Sequence, residues 1–210
     1  MARRNPYARP DARTRAAKER GFPARSVFKL EEIDSRVGLL RPGLRVLDLG
    51  AAPGSWTLYA SRRVGVGGRV VAVDLQELAE LGAPNVIAIQ GDALTLDLAA
   101  VAEHAPYDVV LSDMAPNTSG NKARDQARSE ELFLRALAVA AAVGRPGSAF
   151  VGKLFMSAAF EHARAEVRQR YAAVRTIRPE GTRSVSSEVF LVGQGRLAPA
   201  APLPGGPAGG

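Results

Sequence analysis

A small set of residue types and spacings in this chain can do chemistry. Lys153 closes the apolar run S-A-F-V-G-K, and a lysine at the end of a buried strand is costly unless it has a partner or a task. The chain uses 24 Arg and only 4 Lys, so a lysine here points to an amine that must be able to give up its proton, which a guanidinium cannot do. Lys153 is therefore a candidate general base or proton acceptor. Asp113, in S-D-M-A-P, closes another apolar run, and Glu188 opens a third in S-S-E-V-F-L-V. Both are candidate carboxylate neighbours for that amine. Lys29 stands at the edge of an apolar helical stripe, Val27, Leu30, Ile33 and Val37, where its stem can be buried while its amine reaches into a site.

A second constellation surrounds V-L-D-L-G-A-A-P-G-S-W, residues 46–56. In doubly wound sheets ligands bind beyond the carboxyl ends of the strands, which puts Gly50 to Gly54 beside a cofactor. The loop is not G-x-G-x-x-G, and Pro53 cannot supply a backbone N–H to a pyrophosphate, which argues against a dinucleotide turn. An acid after the next strand, Asp74, suits a nucleoside without phosphates, because a carboxylate there can accept both ribose hydroxyls. Asp92, in Q-G-D, is placed to accept from an adenine amino group. The cofactor these residues indicate is S-adenosylmethionine.

Positioning these groups needs a scaffold, and the chain has the pattern of one. From residue 45 onward, short β-rich runs (Arg45–Leu49, Arg69–Asp74, Asn85–Gln90, Asp108–Ser112, Ser148–Lys153) alternate with windows rich in Ala, Leu, Glu and Arg. The clearest of these windows predicts a helix over Asp125–Val143. Strands that are apolar throughout and separated by helices imply a parallel sheet covered on both faces. Ala172–Arg178 and Glu188–Gly193 follow with only a loop between them, so they should pair antiparallel at one edge. The expected class is α/β, a Rossmann-like, doubly wound, mostly parallel sheet ending in an antiparallel hairpin, as in methyltransferases that use S-adenosylmethionine. Ser26 is read as the N-cap, and Gly38 as the stop, of the helix that carries Lys29.

Across roughly residues 14–196 the sequence resembles the FtsJ/RrmJ-type ribosomal RNA 2′-O-ribose methyltransferases, the RlmE group. The resemblance rests on R-S-V-F-K-L-E-E-I (25–33), D-L-G-A-A-P-G-S-W (48–56), Q-G-D (90–92), S-D-M-A-P-N-T-S-G (112–120), V-G-K-L-F (151–155) and R-S-V-S-S-E-V-F-L-V (183–192). It implies that a K-D-K-E tetrad falls on Lys29, Asp113, Lys153 and Glu188. It implies cofactor contacts at Gly54, Trp56, Asp74, Asp92 and Asp113, beside Gly50 in the same loop. It also implies methylation of a 23S rRNA ribose, a uridine of the peptidyl-transferase A loop, late in large-subunit assembly. The chain departs from the bacterial pattern at Ser55, where a second glycine is usual, and at Met156, where glutamine is common.

Charge and composition bound the rest. The net charge of +7 is concentrated at one end: residues 1–45 hold 12 Lys/Arg against 5 Asp/Glu, leaving 16 against 16 beyond. Such an asymmetry suggests a neutral body with a basic extension for a polyanion. The expected RNA contacts are Arg3, Arg4, Arg9, Arg13, Arg15, Lys18, Arg20 and Arg25, helped by Arg183. The organisation expected is a basic, partly disordered extension (1–25) that orders on its partner, a methyltransferase domain (26–196) and a disordered Pro/Gly/Ala tail (197–210). With no cysteine there is no disulfide framework, thiolate metal site or cysteine nucleophile, which excludes a 5-methylcytosine enzyme. D-M-A-P lacks the aromatic of an N6-adenine methylase, and Pro53 disfavours a nicotinamide enzyme. No metal is expected, since only His104 and His162 are present. A cytoplasmic monomer without membrane contact is expected. The rival from another class is a non-catalytic RNA-binding assembly factor on the same fold.

Overall fold

The computed structural model describes residues 12–117, 119–180 and 187–198. Strands β1 (Arg45–Leu49), β2 (Arg69–Asp74), β3 (Val86–Gln90), β4 (Tyr107–Ser112), β5 (Gly144–Phe155), β6 (Tyr171–Ile177) and β7 (Glu188–Arg196) form one sheet in the order β3-β2-β1-β4-β5-β7-β6. β1 to β5 are parallel, whereas β7 runs antiparallel to both β5 and β6. The last strand in the chain is thus not at the edge. It inserts between β5 and β6, which brings Glu188 level with Phe155, two residues past Lys153.

Alternation along the strands explains two separate cores. Val46, Val70, Val109, Leu111, Val151, Phe190 and Val192 face helices α2 (Val27–Val37) and α3 (Ser55–Val64). The intervening residues, among them Leu47, Leu49, Val71, Val110, Phe150 and Leu191, face the other side, with Phe133, Ala136 and Leu137 of α5 (Lys122–Val143) and Ala163 and Val167 of α6 (Phe160–Arg170). Fully burying each such aliphatic or aromatic side chain contributes on the order of 1.5–3 kcal/mol, so the sheet is held from both faces. Short α4 (Leu98–Ala102) adds Val101 to the second core.

Four local expectations are corrected. α1 (Ala12–Glu19) forms within the basic segment, because Pro10 and Pro23 flank that stretch without interrupting it, and Ala17 and Phe22 pack on Val27 and Leu58. Within residues 12–25, Ala17 and Phe22 thus contact the body; residues 1–11, and with them Arg3, Arg4 and Arg9, lie outside the described residues, as do Arg183 and positions 199–210. The connection between β2 and β3 is not helical, since Gly82 has a positive φ (61°) and Pro84 follows. Ser26 is itself in helical geometry and makes no side-chain cap bond. α5 begins at Lys122, three residues before the expected start at Asp125, because the Asn121 side chain accepts the Arg124 N–H.

Gly38 behaves as expected. It closes α2 at φ 63° with its N–H on the Asp34 carbonyl, and a Cβ there would meet nothing within 4 Å. Gly38→Ala isolates the backbone cost: urea unfolding should show a loss of about 1 kcal/mol, with no change in the slope of the transition.

Candidate active site

The same alternation that builds the first core carries the reactive groups. Val109 and Leu111 are followed on that face by Asp113, Val151 by Lys153, and Phe190 and Val192 are preceded by Glu188. All three charged groups emerge at the carboxyl edge of the parallel strands, where the core ends. Lys29 comes to them from α2.

Two sets of bonds fix α2. Asp34, 3% exposed, accepts from the Leu40 N–H, the Tyr59 hydroxyl (2.9 Å) and Arg63 Nε (3.0 Å), which ties α2 to α3. At its other end, the Ser55 hydroxyl accepts the Ala24 N–H at 2.7 Å and lies 3.0 Å from the Ala24 carbonyl. Trp56 Nε1 donates to the Ser26 carbonyl at 2.9 Å. Ser55 thus has a structural duty that a glycine could not perform.

The four tetrad positions meet. Lys29 Nζ lies 2.7 Å from Glu188 Oε2 and 3.9 Å from Asp113 Oδ1, and it sits 5.7 Å from the centre of the Phe190 ring. Lys153 Nζ lies 2.9 Å from Asp113 Oδ1 and donates to the Asp113 main-chain carbonyl. The amine approaches Oδ1 off the hydrogen-bond direction, so this buried oxygen is balanced by charge without receiving a directed N–H. The Lys153 side chain is 5% exposed, the other three between 15% and 20%. Two ammonium groups and two carboxylates therefore share a small half-open patch, in which a hydroxyl could be oriented and relieved of a proton.

A cavity of about 440 Å³ adjoins this patch and shares Asp113 with it. Its walls include Gly50, Asp74, Asp92, Met114, Asn117 and Arg128. Asp74 accepts the Ala52 and Gln76 N–H groups at 2.9 and 2.8 Å, which fixes the Gly50–Gly54 turn against the end of β2. Asp92 accepts the Leu94 N–H at 2.9 Å, and Arg135 of α5 holds the same loop through the Ala93 and Leu96 carbonyls. Gly50 has φ 77°, and a Cβ there would lie 2.5 Å from Met114 Cγ, so a side chain would collide with the Met114 wall of the cavity. The three carboxylates on the walls, Asp74, Asp92 and Asp113, fit a cationic ligand bearing hydroxyl and amino groups.

Two expected cofactor residues do not line this cavity. Gly54 faces Leu78 and Leu81, and Trp56 is buried against Phe190 at 5.6 Å because the helical period puts it with Ala60 and Val64 on the core face of α3. Of the expected RNA contacts, Arg13, Arg15 and Lys18 are exposed on α1. Arg20 is engaged with both oxygens of Glu31 and lies over the rings of Phe22 and Phe28, 5.5 Å from each. Arg25 is half-buried beside the turn that leads into α2. Met156 follows the end of β5, 40% exposed, its carbonyl accepting from Gln126.

Sequence reasoning left one acid without a role. Asp48 of β1 is fully buried, and its Oδ2 accepts the Thr57 hydroxyl at 2.7 Å while its Oδ1 has no partner. Burial pushes this carboxyl up to about 7 against the pull of Thr57, with Asp113 and Asp74 adding to the rise. The available signal was a charge inside the otherwise apolar run V-L-D-L. Among the described residues no cluster of potential metal ligands is found, and no helix is long and apolar enough to cross a membrane.

Residues 22–196 match the family described as FtsJ-like methyltransferase. The chain is 63% identical over 195 residues to the Ribosomal RNA large subunit methyltransferase E of Sorangium cellulosum (strain So ce56), covering 93% of this chain and 92% of that one. It is 46% identical to the protein of the same name from Myxococcus xanthus (strain DK1622), covering 94% of both. Among solved structures, a putative ribosomal RNA methyltransferase from Plasmodium falciparum superposes with a TM-score of 0.73 at 23% identity, over 85% of this chain and all of that one. Aeropyrum pernix fibrillarin with natively bound S-adenosyl-L-methionine shares the fold at a TM-score of 0.58 and 14% identity, over 80% and 76% of the two chains. The sheet is that of the Rossmann-like methyltransferases, and the chain belongs to the FtsJ-like methyltransferase family.

Proposed function

We propose that this protein transfers a methyl group from S-adenosylmethionine to a ribose 2′-hydroxyl of large-subunit (23S) rRNA, a uridine of the peptidyl-transferase A loop, within the assembled subunit. The observation that carries this reading is the convergence of Lys29, Glu188, Asp113 and Lys153 on one patch whose Asp113 also lines the acid-walled cavity. The near-full-length match to proteins named for rRNA methylation supplies the substrate class.

When bound, the cofactor supplies an electrophilic methyl on a positively charged sulfur. The residues do the rest. Asp74 and Asp92 accept from hydroxyl and amino groups, Gly50 leaves room for the ligand, and Gly54 and Trp56 shape the turn and the helix behind it. The 2′-hydroxyl is a weak nucleophile, so it must be aligned and its proton received as the new C–O bond forms. Lys153, held by Asp113, either accepts that proton or stabilises the developing oxyanion, while Lys29 and Glu188 orient the ribose from the opposite side.

The decisive assay uses large subunits from a strain lacking the activity, incubated with the full chain and methyl-tritiated S-adenosylmethionine. Label should appear in 23S rRNA at one alkali-resistant linkage. Label in a base or in protein, or binding without transfer, would refute the ribose reading, and the last of these outcomes would favour the assembly-factor rival.

RNA affinity should depend steeply on salt, through phosphate contacts from the exposed face of α1. Deleting residues 1–25 is the wrong test, because it would remove Ala17 and Phe22 from the core. Replacing Arg13, Arg15 and Lys18 together by Gln leaves that packing intact. The slope of log K against log salt should flatten by roughly 0.7–0.9 for each phosphate that is no longer neutralised. An unchanged slope would remove α1 from the RNA interface.

A further inference from the structure

Asp48 is placed to respond to charge in the cavity without touching it. The strand register sets β1 between β2 and β4, with Asp48 paired to Ala72 and Leu111. Two residues further along those neighbours, on the same face, stand Asp74 and Asp113. Three carboxylates thus form a triangle around Gly50, two of them on the cavity wall and Asp48 one pleat beneath. Beyond Asp113 the ammonium groups of Lys153 and Lys29 are each already opposed by a carboxylate. From α3 only the Thr57 hydroxyl reaches Asp48, and the buried Oδ1 is left without a hydrogen-bond donor.

A carboxyl in such a place is held neutral by burial and by its two acidic neighbours. A ligand with net positive charge next to Gly50 reverses the local field. We propose that Asp48 is the charge-balancing residue of the cofactor site: it holds a proton in the ligand-free protein and releases it when a sulfonium ligand binds. The inference rests on the reading of the cavity as an S-adenosylmethionine site. Asp48 is a positioning residue in this scheme, because it acts through the field at the Gly50 turn and contacts no reacting atom.

Two physical consequences follow. Cofactor affinity should rise with pH as the cost of removing the proton disappears. Binding near neutrality should also expel part of a proton: a group titrating at about 7 is about half protonated at pH 7. The demethylated product, S-adenosylhomocysteine, has no sulfonium charge and should expel less. Losing the Thr57 hydroxyl, which favours the ionised form, should leave more protein protonated at pH 7 and so increase the release on binding.

The test is isothermal titration calorimetry of the full chain with S-adenosylmethionine and with S-adenosylhomocysteine, at pH 7 in phosphate and in Tris. The dependence of the heat on buffer ionisation enthalpy counts protons. The expected result is release of about half a proton with the sulfonium ligand, less with the product, more in Thr57→Val and close to none in Asp48→Asn. Thr57→Val keeps the shape of its site, so the inference stays testable if Asp48→Asn fails to fold. Equal release for the two ligands, or the same release in wild type and both variants, overturns the role of Asp48 while leaving the cofactor reading in place. Failure of both ligands to bind overturns the cofactor reading itself, and this inference with it.

Discussion

Lys153→Ala should lower the rate of methyl transfer by on the order of 10²–10⁴-fold while leaving the dissociation constant for S-adenosylmethionine within a few-fold of wild type. The separation is expected because Lys153 reaches Asp113 from the patch side and is not among the residues lining the cavity. Single-turnover transfer to large subunits and direct cofactor titration measure the two quantities independently. Lys153→Arg then distinguishes the two chemical roles. An ordinary lysine titrates at about 10.4, so a base role requires a proton that can leave, whereas stabilising a developing oxyanion requires only positive charge. Arg keeps the charge and cannot lose the proton. Recovery of a large part of the lost rate in Lys153→Arg assigns charge stabilisation, and failure to recover assigns proton acceptance. A Lys153→Ala enzyme turning over near the wild-type rate would remove Lys153 from the chemistry altogether.

The second large effect concerns stability. Asp48 titrates at about 7 in the folded protein, against an ordinary 3.8 in the unfolded chain. Below pH 4 both states carry the proton and Asp48 contributes no pH dependence. Between about 4 and 7 the unfolded chain ionises while the folded one stays neutral, which favours unfolding increasingly as pH rises; above 7 the penalty is constant. At 1.36 kcal/mol per unit the full penalty is roughly 4 kcal/mol, an upper bound for an acid in a protein interior. Asparagine does not titrate. Unfolding by urea at pH 4, 5.5, 7 and 8 should therefore show Asp48→Asn gaining stability relative to wild type as pH rises, by up to about 4 kcal/mol between the extremes. A difference that stays flat across this range would show that Asp48 is ionised in the fold throughout.

Much of the scaffold could be read from the chain because its parallel strands are apolar on both faces, a pattern few other elements produce. Lys153 and Asp113 stand out in the sequence for a related reason: they are charges at the ends of such runs, where an unassigned charge has no solvent to excuse it. What failed to show depended on contacts between distant segments. α1 is short and polar, and its tie to the body is the packing of Ala17 on Val27 and Leu58. Arg20 reads as one more basic residue of an arm until Glu31, Phe22 and Phe28 are seen around it. Trp56 follows the glycine turn in sequence, yet the pitch of α3 turns it to the core. Asp48 was visible as an oddity in β1, but its significance lies in Asp74 and Asp113 on neighbouring strands, which no local pattern reveals.

The insertion of β7 between β5 and β6 has a consequence for how the enzyme comes into being. Every residue lining the cavity lies before position 133, whereas Glu188 begins the last strand. A chain emerging from the ribosome therefore has every residue of this cavity available for assembly while Glu188 is still unsynthesised. Until that strand arrives, the seven residues of β5 that pair with it, Ala149–Phe155, present an open edge carrying Lys153, the kind of edge on which chains associate wrongly. Completion of the charged patch and closure of the sheet are then one event, so a nascent chain with its cavity already formed would lack the partner of Lys29 until its final strand.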